Sequence, residues 1–310
     1  MGLVVSTLAM VAGFTVAVLA SRVAVTGAGH LVARTRLPPF VIGITLVALG
    51  TDLPEIANSV VASLEGLGDV NVGDSIGSVV TQMTLVLGLM PLFGGALLLS
   101  RRRTTVVGVG IILALVLGAV LMQDGDLARI DGGSLVASWV LLSFAVWRLG
   151  DSGEAQTPER ADGGLARPVV QLAAGLAVVT VGVMAAIWGV VNLAEAAGVP
   201  VFLVSFFGAS VGTSLPELLF SITALRRGHA EMAVGDALGA SMVDATLSIG
   251  IGPLIAPTLV STALVERAVT VAVLVAALVV GLLVVRRRHT VGTAVVLLLL
   301  YLGVYVVLLA

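Results

Sequence analysis

Two blocks of this chain say nearly the same thing: Gly50-Thr51-Asp52-Leu53-Pro54-Glu55 and Gly212-Thr213-Ser214-Leu215-Pro216-Glu217. A second pair, Gly73-Asp74-Ser75-Ile76-Gly77 and Gly235-Asp236-Ala237-Leu238-Gly239, lies at the same offset of 162 residues. One offset shared by two separated motifs marks an internal duplication, so the second half must reuse the architecture of the first. Each copy also sets a carboxylate directly after a proline in an otherwise apolar stretch. A charge there is costly and a helix cannot run on unbroken.

The solvent for that architecture is lipid. With 58% hydrophobic and 11% charged residues and a mean hydropathy of +1.16, the chain is too apolar for a soluble globule. About 20 apolar residues cross a bilayer core of roughly 30 Å, and ten such stretches fit: 3–32, 37–63, 71–99, 104–122, 133–149, 168–194, 200–225, 231–259, 264–285 and 290–309. The expected fold is an all-α polytopic membrane protein. A first five-helix repeat covers 1–149, a polar cytoplasmic linker 150–167, and a second repeat 168–310. No stretch has room for a sizeable soluble domain, which argues against a sensor or scaffold. Cysteine is absent and the net charge is −2, so neither redox chemistry nor nucleic-acid binding is indicated.

All sixteen basic residues are arginine, and they alternate by connection. Odd-numbered connections hold fourteen, including Arg101, Arg102, Arg103, Arg286, Arg287 and Arg288; even ones hold only Arg129 and Arg267. Positive charge stays cytoplasmic, so both termini are expected outside, in a cell (inner) membrane. The offset of 162 residues spans five crossings, an odd number, which inverts the second copy relative to the first. Inverted repeats with interrupted helices meeting near the midplane are the architecture of secondary transporters.

Six of the eighteen carboxylates fall inside the repeat helices: Asp52, Glu55, Asp74, Glu217, Asp236 and Asp244. At about 2.5 to 3.5 kcal/mol each in mid-membrane, lipid exposure would cost on the order of 15 to 20 kcal/mol. No arginine lies in those helices, so the counter-charge must be a proton or an imported cation. Pro54 and Pro216 free the carbonyls of Gly50 and Gly212. Thr51 and Glu55, like Thr213 and Glu217, are spaced to share a helix face. Asp74, Ser78 and Gln82 form one polar stripe, with Asp236, Ala240 and Asp244 as its counterpart. Oxygen ligands without His or Cys favour hard cations, and the irregular coordination available suits Ca²⁺ better than Mg²⁺. Asp74 and Asp236 read equally as proton sites or as helix caps. His30, His229 and His289 sit at span ends and are given no role.

These motifs resemble the cation/calcium exchanger superfamily, particularly its prokaryotic sodium/calcium exchangers. Residues 50–55 and 212–217 match its G-T-S-L-P-E signature, and 73–82 and 235–244 its G-N-x-x-G-S-N pattern. The resemblance implies two inverted five-helix repeats, with the first and sixth helices sliding across a rigid core. It also implies that Glu55 and Glu217 carry the ion, assisted by signature hydroxyls, among them Thr51, Thr213, Ser214 and Ser78, and by Gln82 and Asp244 twenty-seven residues downstream of the glutamates. Asp52 replaces the signature Ser, Asp74 and Asp236 replace Asn, and Val79, Ala240 and Ser241 replace other polar positions. Neutral ligands are thereby lost and acids gained.

The expected activity is secondary antiport of Ca²⁺ against Na⁺ by alternating access, without a cofactor and without enzymatic chemistry. Proton-coupled exchange is the alternative, with Asp52, Asp74, Asp236 or Asp244 titrating, and a passive cation channel stands behind it. The partners expected are the lipid bilayer and the transported cations.

Overall fold

The computed structural model describes residues 2–35, 37–149, 164–197 and 212–309, nearly all of them helical. Helix α1 is Gly2–Thr35. The next span is built in pieces: α2 (Pro39–Ile42), a π-helical turn Gly43–Val47, α3 (Ala48–Thr51) and α4 (Leu53–Leu64). Helix α5 (Gly68–Thr81) passes through a π turn, Gln82–Val86, into α6 (Leu87–Gly94). Then come α7 (Arg101–Leu121), α8 (Arg129–Leu149) and α9 (Ala166–Ala196). In the second half, α10 (Leu215–Arg226) precedes α11 (Ala230–Val243), a π turn Asp244–Ser248 and α12 (Ile249–Ile255), followed by α13 (Thr262–Arg286) and α14 (Val291–Leu309).

Among the described residues, seven helices are long and apolar enough to cross a membrane, or eight if the pair bent by 46° at Asp52 is one span; Val291–Val304 is a shorter apolar segment. The first part of the expected span 200–225 and most of the expected linker 150–167 lie outside the described residues.

Two spans end earlier than the hydropathy suggests. The one expected over 71–99 stops at Gly94, where Gly95 takes a left-handed φ of 69°. The one expected over 231–259 stops at Ile255, because Ala256 precedes Pro257 and is driven to an extended conformation (φ −133°, ψ 104°). The freed residues form two-residue strands instead. β1 (Leu97–Leu98) pairs antiparallel with β4 (Arg288–His289), and β2 (Asp126–Leu127) with β3 (Thr258–Leu259). Each pairing ties one half of the chain to the other, and each joins connections that the arginine count assigns to the same side.

Element boundaries repeat at the motif offset. Helices α4 and α10 begin at Leu53 and Leu215, α5 and α11 at Gly68 and Ala230, and the π turns at Gln82 and Asp244. α1 and α9 are neighbours at glycines: a Cβ on Gly13 would stand 2.5 Å from the Gly182 carbonyl oxygen, and one on Gly189 2.4 Å from that of Ser6. Small residues here let two backbones approach as no larger side chain would. The spans Gly68–Gly94 and Ala230–Ile255 are the most enclosed of the seven.

Pro91 in α6 and Pro253 in α12 each deprive the carbonyl four residues earlier of its amide partner. Both carbonyls are satisfied from the opposite half. His289 Nε2 lies 2.6 Å from the Leu87 carbonyl oxygen, and Asn71 Nδ2 lies 3.1 Å from that of Ile249. His289, given no role from the sequence, is therefore a structural donor. A carbonyl can only accept, so its ring carries the proton on Nε2, while Nδ1 meets Thr293 Oγ1 at 2.6 Å. Burial pushes its pKa below the ordinary imidazole value, chiefly by desolvation.

Candidate cation site

The site forms where the two signature motifs break their helices. Asp52 (φ −81°, ψ 10°) and Ser214 (φ −84°, ψ 6°) share one non-helical kink. Pro54 and Pro216 are each the second residue of the helix that follows, where a missing N–H costs nothing. Glu55 and Glu217 thus fall in first turns, where the helix dipole favours an anion. On the other side of the first kink, the carboxyl end of α3 presents partial negative charge, which suits a cation.

The glutamates converge. One carboxylate oxygen each of Asp52, Glu55 and Glu217 lies within 4.8 Å of the other two, and all three residues are buried. Among the described residues, no donor lies within hydrogen-bonding geometry of any of their six carboxylate oxygens. Unpaired carboxylates out of water cost several kcal/mol each, so this cluster demands positive charge. Its size is informative. Oxygens at 2.3–2.6 Å from Ca²⁺ stand up to about 5 Å apart across the ion, and the spacing found here fits within that sphere.

Residues equivalent by the offset also meet directly. Gln82 Nε2 donates to Asp244 Oδ2 at 2.9 Å, and among the described residues no partner is in hydrogen-bonding geometry with Gln82 Oε1 or Asp244 Oδ1. Ser214 Oγ is buried at its kink, with no partner among the described residues.

Other predicted residues have hydrogen-bond partners of their own. Thr51 closes α3 and Glu55 lies in the first turn of α4, on the two sides of the break at Asp52. The Thr51 hydroxyl lies 3.2 and 3.1 Å from the Val47 and Ala48 carbonyl oxygens and 3.3 Å from Asp236 Oδ1. Ser78 and Thr213 are 3.4 Å apart, hydroxyl to hydroxyl. Asp74 and Asp236 are not helix caps. Their helices begin six residues earlier, with Leu67 and His229 at the cap positions. Asp74 accepts from Asn58 Nδ2 at 2.7 Å, and Asp236 from Ser221 Oγ at 2.8 Å. Asn58 and Ser221 went unnoticed in the sequence, although each sits three or four residues after its glutamate, on the same helical face.

Sodium/calcium exchanger proteins match residues 5–148 and again residues 167–310, two segments separated by the same 162-residue step. The chain belongs to the sodium/calcium exchanger family. It is similar to the inner membrane protein YrbG of Escherichia coli (strain K12), 30% identical over 265 residues that cover 82% of this chain and 81% of that protein. It is also similar to the sodium/calcium exchanger MaX1 of Methanosarcina acetivorans, at 25% over 303 residues, 83% and 85% of the two chains. A structure of the sodium-calcium exchanger NCX_Mj superposes with a TM-score of 0.83 at 24% identity, covering 98% and 99% of the chains. The fold is shared on that scale. As a member of this family the exchanger is a multi-pass membrane antiporter of cations.

Proposed function

We propose that this exchanger moves Ca²⁺ against Na⁺ by alternating access, with Glu55 and Glu217 as the primary Ca²⁺ ligands. The observation that carries the reading is the buried cluster of Asp52, Glu55 and Glu217 oxygens, without a donor among the described residues and sized for one hard cation. Gln82, Asp244, Ser214, Ser78, Thr51 and Thr213 complete the oxygen lining on this reading. Two inverted five-helix repeats, ten spans in all, surround the site. The recurrence of element boundaries at one offset and the contact between Gln82 and Asp244 support that arrangement. Both termini face outward from the cell (inner) membrane, in keeping with the arginine distribution.

Coupling follows from electrostatics. An empty site would carry bare carboxylates through a low-dielectric core, which opposes the switch between states; a bound cation removes that opposition. The rival proton-coupled reading is favoured by one observation, the carboxylate of Asp52 at a position where the signature has a hydroxyl. Ca²⁺ uptake into everted vesicles, driven separately by a Na⁺ gradient and by a pH gradient, decides between them. Uptake should follow the Na⁺ gradient; uptake indifferent to Na⁺ and driven by pH would overturn the sodium reading.

A further inference from the structure

Resting on that reading, we propose that Asp52 is the specificity-determining residue of the cation centre: a third carboxylate, present at one of two matching kinks, that favours a single divalent ion over Na⁺. The two kinks have nearly the same backbone conformation, yet one supplies a carboxylate and the other the hydroxyl of Ser214. The side chain is thus free to differ while the helix break stays the same.

A structural duty for Asp52 fails on inspection. An aspartate at a helix N-cap ordinarily accepts an amide hydrogen from the first turn. Asp52 occupies the N-cap of α4 but makes no side-chain cap bond. Both its oxygens are buried and, among the described residues, without a donor, and one lies within 4.8 Å of an oxygen of each glutamate. Its carboxylate is spent on the cluster.

The consequence for selection follows from Coulomb's law. A carboxylate at a fixed distance attracts a divalent ion with twice the energy it offers a monovalent one. The gain in Ca²⁺ affinity is therefore roughly the square of the gain in Na⁺ affinity at the same centre. If Asp52 strengthens Na⁺ about tenfold, it strengthens Ca²⁺ about a hundredfold, a tenfold shift in preference. Ca²⁺ also accommodates several carboxylates in its sphere.

The test is titration calorimetry of the purified full chain with CaCl₂ and NaCl, on the wild type, Asp52→Ser, Asp52→Asn and Glu55→Gln. Asp52→Ser places at this kink the residue its twin already carries, and Asp52→Asn keeps the side-chain shape, so it carries the comparison if the serine variant aggregates. The expected result is Ca²⁺ binding that persists but weakens more than Na⁺ binding, with the ratio of the two constants shifting against Ca²⁺ by roughly tenfold. An unchanged ratio in these variants overturns the proposal. So does complete loss of Ca²⁺ binding, which would make Asp52 an obligatory ligand. If the wild type binds no Ca²⁺, or Glu55→Gln binds it undiminished, the exchange reading itself falls, and Asp52 with it.

Discussion

Glu55 and Glu217 come from helices 162 residues apart in sequence, and their oxygens share one enclosed space with those of Asp52. Without a cation these groups repel one another, so the ion contributes stability as well as cargo. We predict that Glu55→Gln and Glu217→Gln each abolish Ca²⁺ uptake while folding normally. A second readout separates ligand loss from misfolding. Ca²⁺ at about a hundred times its Kd should stabilise the wild type by about 2.7 kcal/mol, seen as a higher melting temperature in detergent, and should leave both variants unmoved. A Ca²⁺-dependent shift of normal size in either variant would remove that residue from the ligand set.

At the scale of elements, prolines shape the molecule twice, at the kinks before Glu55 and Glu217 and inside α6 and α12. The second pair leaves carbonyls that side chains of the other half must satisfy. His289→Ala should cost about 1–3 kcal/mol of stability by leaving the Leu87 carbonyl without a donor. Because burial lowers the folded pKa of His289, its contribution stands in full above the ordinary imidazole value of about 6.5 and declines as the pH falls below it. Thermal melts between pH 8 and 5 should show that decline in the wild type and a smaller one in His289→Ala; equal slopes would exclude the assignment. The prolines and the glutamates after them were legible in the sequence, as were most spans. The π turns were not, since nothing in Gln82–Val86 or Asp244–Ser248 marks hydrogen bonds that skip five residues rather than four. The partners of Asp74 and Asp236 were missed for a related reason. By the offset Ser221 answers to Ser59 but Asn58 answers to Phe220, so the duplication pointed to no partner common to both halves. The span ends were misjudged because apolar strand residues such as Leu97 and Leu98 score like helix.

On the scale of the whole molecule, β1–β4 gathers Arg101, Arg102, Arg103, Arg286, Arg287 and Arg288 near one end of the bundle, and β2–β3 gathers Asp124 and Asp126 with the start of α13. The absence of cysteine makes sidedness directly measurable. Single cysteines at the exposed positions Arg102 and Arg286 should react with an impermeant maleimide only in everted vesicles, and those at Asp124 and Glu266 only in intact cells. The opposite pattern would invert the topology.

The hydrogen bond from His289 to the Leu87 carbonyl reaches across 202 residues of chain, and that distance has a meaning in time. When α6 leaves the ribosome and enters the bilayer, the residue that will cover its exposed carbonyl has yet to be translated. The first half must wait in the membrane, incomplete, until the last hairpin arrives. Maturation of this exchanger is therefore a late event, set by synthesis of the segment that carries His289.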